Sequence, residues 1–454
     1  MPYAPDPALL DLADFLADPV EAADFPETIL RFRNDRAAAS VGLDTLNDEQ
    51  WIAHFGRFVP LAGTLPGPLA LRYHGHQFRH YNPDIGDGRG FTFAQMRDDQ
   101  GRLLDLGTKG SGQTPYSRFG DGRLTLKGGV REILATEMLE ALGVNTSKTF
   151  SLIETGEALH RGDEPSPTRS AVMVRLSHGH IRIGSFQRLA TLDQPEEMAR
   201  LVAYVLTQLY GEAPGDEPAL QLLTRVVDRT AKLAASYMAA GFVHGVLNSD
   251  NINVTGESFD YGPWRFTPFW DPNFTAAYFD QNGLYAFGRQ AQAIRWDVVQ
   301  LAISLTKLVP VEALAPILDA FPAAYEAAHV QAMLKRLGVK PRGEEADLAL
   351  VQAIEQGLSA KSVTIDRFFF DWRGGRLRAA TDYSAHFPTL DAMLAPYEPA
   401  APVDHPYWSD ADPCSMHIDE VEAIWSAIAE RDDWTPLHNK VAAIRRMGEA
   451  HRAA

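Results

Sequence analysis

The chain has 454 residues, 45% of them hydrophobic and 22% charged, enough for two to four folding units and a sizeable core. Its formal charge of −17 excludes the broad basic face of a nucleic-acid or anionic-membrane binder, so neither partner is expected. A single cysteine, Cys414, excludes an internal disulfide and a cysteine-rich zinc site. With an acidic N-terminus and no apolar run long enough to span a membrane, the expected location is the cytoplasm.

In chain order, residues 1–60 read as an N-terminal extension: a short amphipathic helix on Leu9, Leu10, Leu12, Phe15 and Leu16, then an irregular stretch. Residues 61–190 are rich in Gly and Asp-Gly turns around the short apolar runs FTFAQM, LLDLGTK, TFSLIE and AVMVRL, which predicts a mostly antiparallel sheet. One helix interrupts it at 130–142, with Ile133, Leu134, Met138, Ala141 and Leu142 at helical spacing and Gly143 as the residue that stops it. Residues 191–398 carry long helical patterns over 195–241 and again over 293–309. After them, 399–454 read as a C-terminal appendage with one acidic helix, IDEVEAIWSAIAERDDW, and a basic terminal helix. A β-rich lobe followed by a helical lobe predicts an α+β, bilobal, protein-kinase-like fold with N- and C-terminal extensions and a nucleotide in the cleft.

The chemical centre is 241–263, GFVHGVLNSDNINVTGESFDYGP. Asp250 and Asn251 follow His244-Gly245, and Asp260 comes after Val254-Thr255 and a Gly256 turn, a strand, loop, strand pattern. If the strands return antiparallel, Asp250, Asn251 and Asp260 converge as oxygen ligands for Mg²⁺ or Mn²⁺ carrying phosphates. The alternative is a surface hairpin whose Asn and Asp residues only make turns.

The local charge reverses where phosphates would need it: from Arg72 to Glu132 there are ten Lys/Arg against seven Asp/Glu. Lys109 closes the strand-like LLDLGTK, and Glu132 opens the helix 23 residues later, positions suited to an ion pair that fixes a lysine on nucleotide phosphates. Gly86-Asp87-Gly88-Arg89-Gly90 can bring backbone N–H groups to a phosphate if its glycines take positive φ. No G-x-x-x-x-G-K-[ST] occurs, which excludes a P-loop enzyme. In AVMVRLSHGHIRIGSF, a hairpin turning at His178-Gly179 would set Arg175 opposite Arg182, and opposed arginines call for an anion between them. Otherwise both guanidinium groups point to water or pair with carboxylates. Histidines 74, 76, 80, 178 and 180 read as structural, since no H-E-x-x-H helix accompanies them.

Seven motifs together are similar to one known family: YHGHQF (73–78), IGDGRG (85–90), TKGSGQTPYSRFGDGR (108–123), VREIL, the paired arginines, HGVLNSDN (244–251) and FDYGP (259–263). The chain resembles the SelO (selenoprotein O) family of protein adenylyltransferases, kinase-fold proteins long considered pseudokinases. The resemblance implies ATP held in reversed orientation and AMP transferred to Ser, Thr or Tyr hydroxyls of proteins, with the enzyme itself among the candidate acceptors. It also implies roles: Asp250 as the base, Asn251 and Asp260 on the metal, and Gly86, Gly88, Arg89, Lys109, Asp121, Gly122, Arg175 and Arg182 around the nucleotide, with Glu132 pairing Lys109. The chain departs from the family pattern at 79–81 and 127–129, and it ends in MGEAHRAA without a terminal cysteine or selenocysteine, so redox control through that end is not expected. Two other functions suit the same residues, a conventional γ-phosphoryl transferase and an inert nucleotide-binding scaffold.

Overall fold

A computed structural model describes residues 1–162 and 165–452. It is a mixed fold, built on a curled antiparallel sheet that backs onto a large set of helices. In chain order the strands are β1 (Ala17–Pro19), β2 (Ile29–Arg33), β3 (Leu69–Leu71), β4 (Gly75–Gln77), β5 (His80–Asn82), β6 (Thr92–Arg97), β7 (Leu103–Lys109), β8 (Leu124–Thr125), β9 (Lys148–Leu159), β10 (Thr168–Ser177), β11 (Phe242–Val243) and β12 (Arg265–Phe266). The main sheet runs β1-β3-β6-β7-β10-β9-β2, with β8 also on β10; β4-β5 and β11-β12 form two small hairpins. The four apolar runs of the sequence are β6, β7, β9 and β10, and β6-β7, β7-β10 and β10-β9 all pair antiparallel.

The N-terminal sixty residues are more ordered than expected. Instead of an irregular stretch they contribute β1 and β2, which close the two edges of the main sheet, and the helices Asp35–Ser40 and Asp48–Phe55. The second of these is closed by a capping box, Asn47 with Gln50, and buries Trp51 and Phe55 against Phe150. The sheet therefore ends on two short strands, of three and five residues, and short edge strands offer little backbone for another chain to pair with.

The interrupting helix spans Leu126–Ala141. Thr125 caps it by accepting from the Gly128 N–H, and Gly143 (φ +81) turns the chain away after it. A Cβ on Gly129 would meet Leu152 Cδ1 at 2.3 Å, so glycine lets this helix lie directly on β9. Its other side holds the C-terminal appendage: Arg445 of the terminal helix Thr435–Arg452 reaches Glu137 at 2.5 Å, and Lys127 reaches Glu422 at 2.7 Å. The appendage is therefore a brace on the helix that carries Glu132.

In the helical half, the 23-residue helix Pro218–Ala240 ends on Gly241 (φ +69) and delivers the chain into β11. Between β11 and its antiparallel partner β12 lies the acidic stretch. Val254-Thr255, expected as a strand, is irregular; the strands sit farther out, at β11 and β12, because Phe242 and Phe266 pack on Trp264 while 249–251 is wound into a 3₁₀ turn. Among the described residues no helix is long and apolar enough to cross a membrane.

Candidate active site

Strand register brings the cations together. Lys109 at the end of β7 pairs with Met173 of β10, and Gly107 pairs with Arg175. Because side chains alternate along a strand, Lys109 and Arg175 project from the same face of the sheet. Gly107 makes room on that face for the His180 ring, which a Cβ there would meet at 2.4 Å.

Arg182 arrives by a different route from the one its sequence suggested. β10 ends at Ser177, and after Gly179 (φ +78) the chain enters a helix, Ile183–Thr191, with Arg182 immediately before its first turn. No second strand faces β10 here, because Ile183, Phe186 and Leu189 share one buried helical face, a spacing that outweighs the β-branched look of HIRIGSF. Arg175 and Arg182 nevertheless converge, through the ring of Phe259: their guanidinium carbons lie 5.4 and 5.1 Å from its centroid, and Arg182 also sits 4.1 Å over Tyr73.

These groups open on one cavity of about 680 Å³. Its wall includes Gly86, Gly88, Arg89, Lys109, Asp121, Gly122, Arg175, Arg182, Asp250 and Asp260. Glu132 lies behind the wall, buried, with its Oε1 2.5 Å from Lys109 Nζ. Lys109 Nζ is also 2.8 Å from Asp260 Oδ1, and Arg175 Nη1 is 3.5 Å from the same oxygen. Asn251 is not part of the wall; it lies in the 3₁₀ turn beside Asp250, and its amide donates to the Val246 carbonyl at 3.0 Å. Residues that the sequence reasoning did not single out individually also line the cavity, among them Tyr73, Gln77, Tyr116, His160 and Arg161. For Tyr73 and Gln77 the motif YHGHQF was the available signal; His160 and Arg161 stand at the end of β9 with none.

The glycines of 86–90 act by close approach rather than by left-handed backbone. None of Gly86, Gly88 and Gly90 has positive φ. A Cβ would instead meet the Tyr116 ring at 2.4 Å from Gly86, the Tyr116 carbonyl at 2.8 Å from Gly88 and the Thr108 carbonyl at 2.1 Å from Gly90. Positive φ occurs in the facing loop, at Gly110, Gly112 and Gly122. A Cβ on Gly122 would lie 2.2 Å from the Gly112 carbonyl carbon, so the two loops are packed backbone to backbone. Asp121 sits on this rim, paired with Arg161 at 2.7 Å; burial works against its charge, but Arg161 outweighs it and holds the carboxyl below its usual value.

Electrostatics separate the two central carboxylates. Burial pushes Asp250 up to about 6, with Arg182 opposing. Desolvation would also raise Asp260, yet Lys109, Arg175 and Arg89 outweigh it and hold that carboxyl well below its ordinary range. One carboxylate is thus poised near neutrality to take a proton and the other is fixed as an anion, the split expected of an acid/base group beside a charge ligand. Asp260 holds φ +60, a strained left-handed conformation for a residue other than glycine. His244, fully buried, supports the stretch by contacting the Phe259 carbonyl at 3.1 Å with Nε2.

The decisive feature is underpairing. Arg175 is 7% exposed, and its Nε and Nη1 make no hydrogen bond among the described residues; Asp250 Oδ1 is likewise buried without a partner. Buried polar groups in folded proteins are nearly always satisfied, so a cavity with orphaned guanidinium donors on one wall and a free carboxylate oxygen on the other is built for a ligand carrying anionic oxygens and a proton donor. Three of the histidines have partners within the protein, His180 Nδ1 3.1 Å from Asp105, His74 Nδ1 2.6 Å from the Tyr81 hydroxyl and His76 Nδ1 2.6 Å from Gln187 Nε2, while Nε2 of His178 and of His180 is buried without one among the described residues.

A model of the family described as protein adenylyltransferase SelO matches residues 3–391. The chain is 43% identical over 465 residues to the protein nucleotidyltransferase YdiU of Synechocystis, covering 96% of each. It is also 43% identical over 468 residues to the protein of the same name from Gloeobacter violaceus, covering 97% of this chain and 95% of that one. The chain belongs to the SelO family of protein adenylyltransferases.

Proposed function

We propose that the protein transfers AMP from ATP to Ser, Thr or Tyr hydroxyls of proteins, itself included, in the cytoplasm. The observation that carries this reading is one cavity lined by the buried cations Lys109, Arg175 and Arg182 together with Asp250 and Asp260, in which Arg175 Nε and Nη1 and Asp250 Oδ1 have no hydrogen-bond partner among the described residues. In this reading the architecture is bilobal and protein-kinase-like, with 61–190 and 191–398 as lobes and 1–60 and 399–454 as extensions. ATP lies reversed, its α-phosphate toward Asp250. The acceptor oxygen attacks that phosphorus, the bond to the bridging oxygen of the β-phosphate breaks, and pyrophosphate leaves against the cations. Asp250 takes the hydroxyl proton, which its raised pKa suits near neutral pH. Arg175, Arg182 and Arg89 stabilise the charge that accumulates on the departing pyrophosphate. Gly86, Gly88, Asp121 and Gly122 shape the rim around the nucleotide, and Glu132 holds Lys109 in place.

The donor set suits a hard divalent ion. Asp260 is held ionised, Asp250 Oδ1 has no partner, and Asn251 commits only its amide nitrogen. Among the described residues no three His, Cys, Asp or Glu side chains gather into a ready-made metal cage. That suits Mg²⁺ or Mn²⁺ held by Asn251 and Asp260 with substrate phosphates supplying the remaining ligands. Such an ion, when bound, would supply charge neutralisation to the phosphates.

The test is ATP labelled at the α- or the γ-phosphate, incubated with the protein and a lysate. Transfer of AMP leaves the α label alone on protein acceptors. Label from the γ position alone would establish phosphoryl transfer and overturn the proposal.

A further inference from the structure

Next to the cavity wall formed by Gln77 and Asp250 lies a surface to which no lining residue of the cavity contributes. The β4-β5 hairpin is clasped onto the turn that holds Asp250: the His76 N–H donates to Ser249 Oγ at 2.7 Å, the Phe78 N–H to Asn248 Oδ1 at 3.0 Å, and Gln77 Nε2 to Asp250 Oδ2 at 3.4 Å. From this hairpin the Phe78 ring extends a row of aromatics. Its centroid is 5.8 Å from Phe279, and Phe279 is 5.1 Å from Tyr278. Tyr278 is 84% exposed and Phe279 45%. Single exposed apolar residues are ordinary, but a contiguous aromatic row beside a reactive carboxylate marks a contact surface.

Two further features single this row out. Phe78 (φ +49) and Arg79 (φ +64) are the two central residues of the hairpin turn that joins Gln77 to His80, whose geometry demands positive φ at both, so the turn fixes where these two side chains stand. Arg79 is exposed, lies 5.4 Å over the Trp296 ring and forms no salt bridge among the described residues. The carboxyl it influences is Asp297, which is buried and which desolvation and Asp250 hold well above the ordinary carboxylate range. In a chain of charge −17, an exposed cation without a carboxylate partner, one residue from Phe78, complements an incoming carboxylate.

We propose that Phe78, Tyr278 and Phe279, with Arg79 at their edge, seat the acceptor polypeptide and select segments carrying a large apolar side chain and a carboxylate within a few residues of the modified hydroxyl. The inference rests on the AMP-transfer reading. An extended segment advances about 3.3 Å per residue, so a hydroxyl at Asp250 leaves its near neighbours over this row. Tyr and Phe are the residue types that anchor such contacts.

The experiment uses α-labelled ATP, the full chain and a set of Ser-, Thr- and Tyr-containing peptides whose flanking residues are varied. Peptides with Leu or Phe beside the hydroxyl should be modified with kcat/KM at least about tenfold above those with Ser there, and Asp should outperform Lys. The double substitution Tyr278→Ser, Phe279→Ser should abolish the apolar preference, and Arg79→Glu should invert the charge preference, both with ATP affinity retained. Label that is indifferent to flanking residues and to these substitutions rejects the docking surface alone. Absence of label on every peptide with the unaltered protein rejects the transfer reading and the docking surface with it.

Discussion

Replacing Arg175 by Met separates a ligand-binding arginine from a structural one. Methionine matches the length of the aliphatic stem and can lie on Phe259 as the guanidinium does, 5.4 Å from the ring. In the ligand-free protein, two guanidinium nitrogens of Arg175 are buried without hydrogen bonds, and each such group costs about 1–3 kcal/mol. Its nearest carboxylate, Asp260, keeps Lys109 at 2.8 Å when Arg175 is gone. The substitution should therefore leave the free protein as stable as before or more so, by about 1–3 kcal/mol, as happens when buried, poorly paired ions give way to apolar side chains. ATP loses a desolvated cationic partner, which costs about 2–4 kcal/mol, or roughly 30- to 1000-fold in affinity. Calorimetric titration with a non-hydrolysable ATP analogue, alongside denaturant unfolding of the free protein, reads both. A less stable variant with undiminished affinity would refute the reasoning, because the arginine would then be holding the fold and not awaiting a phosphate.

Four other perturbations follow from the same geometry. With Asp250 raised to about 6, its base form grows as pH rises through that value, so kcat/KM should fall below about pH 6 and level off above it, and Asp250→Asn should abolish transfer while ATP still binds. A raised carboxyl pKa also makes ionisation easier in the unfolded chain, so the folded state loses stability as pH rises from about 4 through 6; Asp250→Asn should be up to about 2–3 kcal/mol more stable than the parent at pH 8 in denaturant melts. Glu132→Gln leaves Lys109 to Asp260 alone and should lower kcat/KM by about 10- to 100-fold in the α-label assay, with the helix intact by circular dichroism. Gly122→Ala places a Cβ 2.2 Å from the Gly112 carbonyl carbon at φ +70, which should cost about 1–3 kcal/mol and expose the 111–123 loop to limited proteolysis. Arg445→Ala leaves the buried Glu137 with Arg36 at 3.4 Å; about 1–2 kcal/mol of stability should go, discounted for the part-exposed arginine, and the transfer rate should fall with it.

What could be read without coordinates followed from how local each signal is. β6, β7, β9 and β10 announce themselves by apolar runs between turn residues, and the helix bearing Glu132 by its periodicity and Gly143. Lys109 and Glu132 were legible as a pair because a strand end and a helix start place them without any long-range knowledge. β1 and β2 were not legible: at three and five residues they are strands only because the main sheet offers them edges. Arg182 illustrates a competing signal, since Ile181 and Ile183 favour a strand locally while Phe186 and Leu189 complete a helical face that only the packed core rewards. The role of Gly86 was invisible for a further reason. Its glycine is required by Tyr116, thirty residues on, and no local conformational rule reports a neighbour of that kind.

The terminal helices gain a meaning from this site that their sequence does not carry. A cavity lined with Arg175, Asp250 and Asp260 gathers unmet hydrogen-bonding capacity, a raised carboxyl and a left-handed backbone in one place, each unfavourable to the ligand-free fold. Such a site keeps its shape only if the elements holding it are stabilised from outside. The helix with Glu132 meets β9 through Gly129 on one side, and on the other it meets Arg445 and Glu422 of the C-terminal helices. Ala141 touches Gly448 closely enough that a Cβ on the glycine would lie 3.1 Å from it. The pairing of Glu132 with Lys109, and through Lys109 the placement of Asp260, therefore depends on residues some three hundred positions farther along the chain. Loosening that brace should damage transfer more than it damages ATP binding, because Lys109 is ion-paired directly to the helix through Glu132, whereas Arg175 is fixed by the register of β10 on β7 and both arginines rest on the Phe259 ring.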